Sequence, residues 1–83
     1  MNRETVKLDL EARGLTGYVL LADPRNRTNV VVLAQGRDVW ATFLQDERAQ
    51  VMGMSVREFA GEAEALADFV HRVELWNRIT GVR

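Results

Sequence analysis

One apolar stripe constrains this chain more than any other feature. Leu66, Phe69, Val70, Val73 and Trp76 recur at i, i+3, i+4, i+7 and i+10, which places them along one side of an α-helix. Gly61 stands where a cap belongs, Glu64 follows three residues later, and Gly81 marks the stop. A helix apolar on one side needs a cover, and a chain of 83 residues has room for one core. The cover must therefore come from the residues upstream.

Those residues read as short strands separated by turn signals. Tyr18 to Ala22 is an apolar run, followed by Asp23-Pro24, a pair suited to the first two positions of a type I turn. Asn26 to Asn29 completes what reads as a polar hairpin loop. Val30 to Ala34 is a second apolar run, fit for a central strand. Gly36 in Gln35-Gly36-Arg37-Asp38 suits a type II′ hairpin. Val39 to Leu44 then alternates, with Trp40, Thr42 and Leu44 on one face and Val39, Ala41 and Phe43 on the other. Gln45 to Ala49 is a polar turn. Met52, Met54 and Val56 alternate with Gly53, Ser55 and Arg57, the pattern of an edge strand. Leu75 and Ile79 lie off the helical stripe, four residues apart, and either cover a sheet edge or form an exposed patch for a partner.

The first fifteen residues admit two readings. Val6, Leu8, Leu10 and Ala12 alternate with charged residues as in a strand. Gly14-Leu15, however, reads as a helix ending, with glycine just past the last turn and an apolar residue after it. The helix reading puts Leu8, Ala12 and Leu15 on one face. The expected fold is α+β: a four-stranded antiparallel meander with an N-terminal helix (or a fifth strand), and a C-terminal amphipathic helix packed on one face. Residues 1–83 are expected to form a single domain.

Composition narrows the function classes. The absence of cysteine excludes a disulfide framework, a thiol nucleophile and a cysteine metal site. No apolar run is long enough to span a membrane, and Met1 to Thr5 lead into no signal-peptide core, so the expectation is a cytoplasmic protein. His71 is the one histidine. A contact with Asp68 or Glu74 is open to it, but it has no further ligands for zinc. Ser55, the one serine, has no motif around it. Glu47, Arg48 and His71 could form a ribonuclease-like trio, yet any small protein offers one. No phosphate-binding glycine loop is present. The expectation is a non-enzyme with no metal and no cofactor.

Net charge is −1, too small for a strong field toward nucleic acid. Residues 46–68 carry six acidic and two basic groups, which suits either a solvated surface with acids at a helix start or a patch for a partner. In an antiparallel meander the loops 23–29 and 45–49 share one end of the sheet. Arg25, Arg27, Asp46, Glu47 and Arg48 cluster there without an evident core role and are the expected partner-binding residues. Arg37 falls at the opposite end, which divides the basic patch and reads against nucleic-acid binding.

Gly14-Leu15, Trp40 with Phe43, the Glu47-Arg48 turn, and Phe59 leading into Glu62-Ala63-Glu64-Ala65 together resemble a family of small bacterial immunity proteins of polymorphic toxin systems. The likeness covers about residues 4 to 73. Against the family pattern, Glu47-Arg48 stands one residue late, Ala49 replaces a glycine, and Gly61 replaces a capping serine. The resemblance implies a cytosolic, non-enzymatic protein that binds and neutralises a toxin or effector domain. A secretion-chaperone-like or phage-encoded inhibitor is the alternative, and a small nucleic-acid-binding protein or an enzyme stands further off. The oligomeric state is left open, a homodimer included.

Overall fold

Local rules determine the first helix. Asn2 caps it: its side chain accepts the Thr5 N–H at 2.9 Å, and the Thr5 hydroxyl in turn accepts the Asn2 N–H at 3.2 Å. The computed structural model describes residues 2–80, and helix α1 runs Arg3–Ala12. Its end is a Schellman turn: Leu15 N–H donates to the Leu10 carbonyl at 3.1 Å, and Gly14 N–H to Glu11 at 3.0 Å. Gly14 has φ 71, the left-handed backbone that glycine adopts without strain. The helix reading of this segment is the correct one. The buried face is Val6 and Leu10, however; Leu8 and Ala12 point outward.

The sheet contains β1 (Tyr18–Leu20), β2 (Val30–Gln35), β3 (Trp40–Gln45) and β4 (Arg57–Phe59), in that spatial order. It is mixed. β2–β3 and β3–β4 are antiparallel, but β1 lies parallel to β2, with Tyr18 opposite Val31 and Leu20 opposite Leu33. The expected all-antiparallel meander is thus corrected at its first connection: residues 21–29 form a crossover and not a hairpin. The link is shorter than most parallel connections. It turns sharply through Leu21, Arg25 and Asn29, at φ 55, 47 and 54, a region non-glycine residues enter at a cost.

Two further turns differ from expectation. Gly36 has no left-handed backbone, so the β2–β3 link is not type II′. It bends at Arg37-Asp38, and Gly36 N–H donates to the Val39 carbonyl at 2.7 Å. The strand expected over Met52–Val56 is instead a 3₁₀ turn at Gly53–Ser55, with β4 following it. The Ser55 hydroxyl supplies the reason. It accepts the Leu44 N–H at 2.9 Å and donates to the Met52 carbonyl at 2.5 Å, taking the place of a ladder bond. Met52, Met54 and Val56 consequently face outward, and Met54 is fully exposed.

Helix α2 (Glu62–Thr80) lies across one face of the sheet. Ala65, Leu66, Phe69 and Val73 are buried against Val31 and Leu33, with Val6 and Leu10 of α1 completing the core. Trp40, Leu44 and Trp76 pack at its margin, as the alternation in β3 requires. The expected stop at Gly81 lies outside the described residues. Asn77 extends the stripe as a polar member, 2% exposed. Its amide donates to the Thr16 and Val73 carbonyls, both at 2.8 Å, and its oxygen accepts the Thr16 N–H at 3.0 Å. It thereby fastens the α1–β1 link to α2. On the opposite face Val19, Val30 and Val32 are buried beside Ala34 and Phe43, and the buried Gln45 amide there donates to the Arg27 carbonyl at 2.8 Å. That bond ties the crossover to the sheet.

Candidate functional site

The expected partner-binding residues occupy the crossover and the β3–β4 link. Because β1 is parallel to β2, the crossover runs from one end of the sheet to the other, and the antiparallel argument for pairing the two loops does not hold. The crossover's tail still reaches the β3–β4 turn: Asn29 N–H donates to the Asp46 carbonyl at 3.1 Å. Arg25 stays with its own turn, where its N–H donates to Asp23 Oδ1 at 3.0 Å.

Asp46 has a structural role that the sequence reading did not give it. Its Oδ1 accepts the N–H of Arg48 at 2.8 Å and of Gln50 at 3.1 Å. The backbone donors of Gln50 and Arg48, in that order, hold its carboxyl below the ordinary aspartate range. Reversing its charge would disrupt the turn, so it cannot serve as a neutral probe of binding. Ala49 closes that turn at φ 62. Arg27, Glu47 and Arg48 are exposed and enter none of the ion pairs among the described residues.

A second site lies where α2 crosses β3 and the 3₁₀ turn. A groove of about 320 Å³ opens there, lined by Leu44, Ser55, Arg57, His71, Leu75 and Ile79 together with Arg72 and Trp76. Its apolar side comes from Leu44 on β3 and from Leu75, Trp76 and Ile79 on α2. Its polar side is a network around Asp68. The Thr42 hydroxyl donates to Asp68 Oδ2 at 2.6 Å, and Arg57 Nη1 to Oδ1 at 2.7 Å. Arg72 Nε lies 3.3 Å from Oδ2.

The electrostatics of this network are unbalanced. Two guanidinium groups share one carboxylate, which also accepts from Thr42. Arg72 and Asp68 are about equally hidden, with side chains 12% and 13% exposed. Arg72 Nη1 is buried with no hydrogen-bond partner among the described residues. Burial pulls the Arg72 pKa down from the ordinary arginine value; Asp68 opposes this, and Arg57 adds to it.

His71 sits on the groove's rim, exposed. Neither carboxylate suggested for it is committed to it: Asp68 binds the arginines and Thr42, and Glu74 pairs with Arg13 at 2.9 Å. Glu47 and Arg48 line no part of the groove, so the trio with His71 is not assembled. Among the described residues, no three His, Cys, Asp or Glu side chains group to hold a metal ion, and no helix is long and apolar enough to cross a membrane.

Sequence reading missed Arg57, Asp68 and Arg72 as a unit. One signal was present. Thr42 lies on the inward face of its strand between Trp40 and Leu44, and a buried hydroxyl there requires a partner. Comparison with known protein families, with curated proteins and with solved structures finds no match.

Proposed function

We propose that this chain is a non-enzymatic protein-binding domain, and that its partner is a toxin or effector domain which it neutralises. The contact surface is the α2–3₁₀ groove and its rim. One observation carries the reading. Met52, Met54 and Val56 are exposed around Ser55 on one side of the groove, and Ile79, 73% exposed, stands on the other. Exposed methionine and aliphatic side chains gathered beside a concavity that also presents arginine match the residue types enriched at protein interfaces. The resemblance to immunity proteins supplies the class of partner, and residues 46–68 with their acidic excess would suit a basic partner at the rim. The loop residues Arg27, Glu47 and Arg48 remain available for peripheral contacts.

The experiment is co-expression with the protein encoded by the adjacent gene. A one-to-one complex, with relief of that protein's toxicity, is the expected result. Met54→Asp and Ile79→Asp should leave the melting temperature unchanged and weaken the complex at least tenfold. No complex and no relief would overturn the function. A complex indifferent to both substitutions would move the interface elsewhere.

A further inference from the structure

We infer that the groove takes an acidic side chain flanked by apolar residues on the partner protein, with Arg57 and Arg72 as its receptors. This rests on the docking reading above and names the chemistry it requires. A guanidinium carries five N–H donors and accepts nothing. Arg72 is largely withdrawn from water, yet its nearest carboxylate oxygen is 3.3 Å away and already receives the Thr42 hydroxyl at 2.6 Å. The other Asp68 oxygen goes to Arg57. Two cations against one anion leave a local surplus of one positive charge at the groove's polar side. Burial and Arg57 both disfavour the charged state of Arg72, and Asp68 alone opposes them. A second carboxylate would balance the set.

The rest of the groove limits what can carry that carboxylate. Leu44, Leu75, Trp76 and Ile79 form its apolar side, which fits aliphatic or aromatic neighbours and offers little to a polyhydroxylated or polyphosphate ligand. The chain's net charge of −1 supplies no broad positive field to draw in a polyanion such as nucleic acid. A volume of about 320 Å³ holds one or two side chains, at the low end of ligand-sized cavities. Planar guanidinium groups favour carboxylates through paired, charge-assisted hydrogen bonds.

The test uses the isolated protein and three probes: a blocked pentapeptide with glutamate between two leucines, its glutamine counterpart, and hexanoate. Binding is read from the Trp76 indole and Ile79 methyl resonances. The glutamate peptide should shift both, and the glutamine peptide should bind roughly tenfold more weakly, as loss of a charge-assisted hydrogen bond implies. Arg57→Gln should reduce glutamate-peptide binding by a similar factor. Because Arg72→Gln could unsettle α2, Asp68→Asn provides the second variant: removing the resident carboxylate should strengthen the glutamate peptide, with folding checked by circular dichroism. Equal binding of the two peptides would overturn the inference. So would hexanoate binding as tightly as the glutamate peptide, which would mark a small-molecule site. If the neighbour-encoded complex depends on Met54 and Ile79 while the glutamate peptide does not bind, docking stands and the carboxylate inference falls.

Discussion

Gly17 offers a test of how tightly α2 is seated. It has φ 77, and a Cβ placed on it would lie 2.9 Å from both Cδ1 and Nε1 of Trp76. Gly17→Ala therefore meets two penalties, left-handed backbone and overlap with a ring. The first costs about 1–2 kcal/mol, and is offset by up to about 1 kcal/mol because alanine restricts the unfolded chain. The second, overpacking against a half-buried indole, costs about 1–3 kcal/mol. The net expectation is roughly 2–4 kcal/mol, a large share of what so small a domain has. Gly14 separates the two effects. It has φ 71, and a Cβ placed on it would meet nothing within 4 Å, so Gly14→Ala should cost only about 1 kcal/mol from the backbone. Urea unfolding followed by circular dichroism measures both. In a Trp76→Leu background the cost of Gly17→Ala should fall toward that of Gly14→Ala. Equal costs for the two glycines in the parent would refute the claim that Trp76 packs down on the α1–β1 link.

Asn77→Ala removes two hydrogen bonds that fasten Thr16 to α2 and a third to the Val73 carbonyl within the helix, and should lower unfolding free energy by about 2–3 kcal/mol; a loss under about 1 kcal/mol would mean the link is held by other contacts. Asp46 makes stability depend on acid. Its pKa is depressed by the Gln50 and Arg48 amides, so its contribution is complete above the ordinary aspartate range and drains as pH falls through the lowered folded-state value. Asp46→Asn keeps an acceptor but loses the charge. The variant should melt below the parent at neutral pH and converge with it in acid, and a gap independent of pH would contradict this.

The parts of the fold legible in the sequence are those governed by neighbours. Gly14-Leu15 announced the end of α1 because a Schellman turn is built from consecutive residues. The α2 stripe and the two faces of β3 followed from periodicity alone. Strand direction was not legible at β1. Periodicity identifies a strand but not its partner, and Asp23-Pro24 looks the same in a hairpin and in a crossover. Met52, Met54 and Val56 misled for a related reason: alternation implies a buried face only when a ladder exists, and the Ser55 hydroxyl replaces it. The groove was hidden because Arg57 and Arg72 meet only after α2 has packed over β3. Leu75 and Ile79 were the legible part, since residues off the stripe of a helix need a separate explanation.

The pairing of the two helices has a consequence for the order in which the chain can acquire structure. Arg3 bonds Glu62 and Arg13 bonds Glu74, partners separated by 59 and 61 positions. β2, β3 and β4 are joined antiparallel through local links and close early, since short loops cost little entropy. Helix α1 precedes the sheet in the chain but cannot complete the burial of Val6 and Leu10 until residues 62–80 are in place. Until then the inner face of β2, Val31 and Leu33, also stays bare. A chain whose α2 has not yet docked thus carries an open apolar sheet, the state in which chaperones engage and aggregation begins, and the docking of that one helix ends the exposure for α1 and the sheet at once.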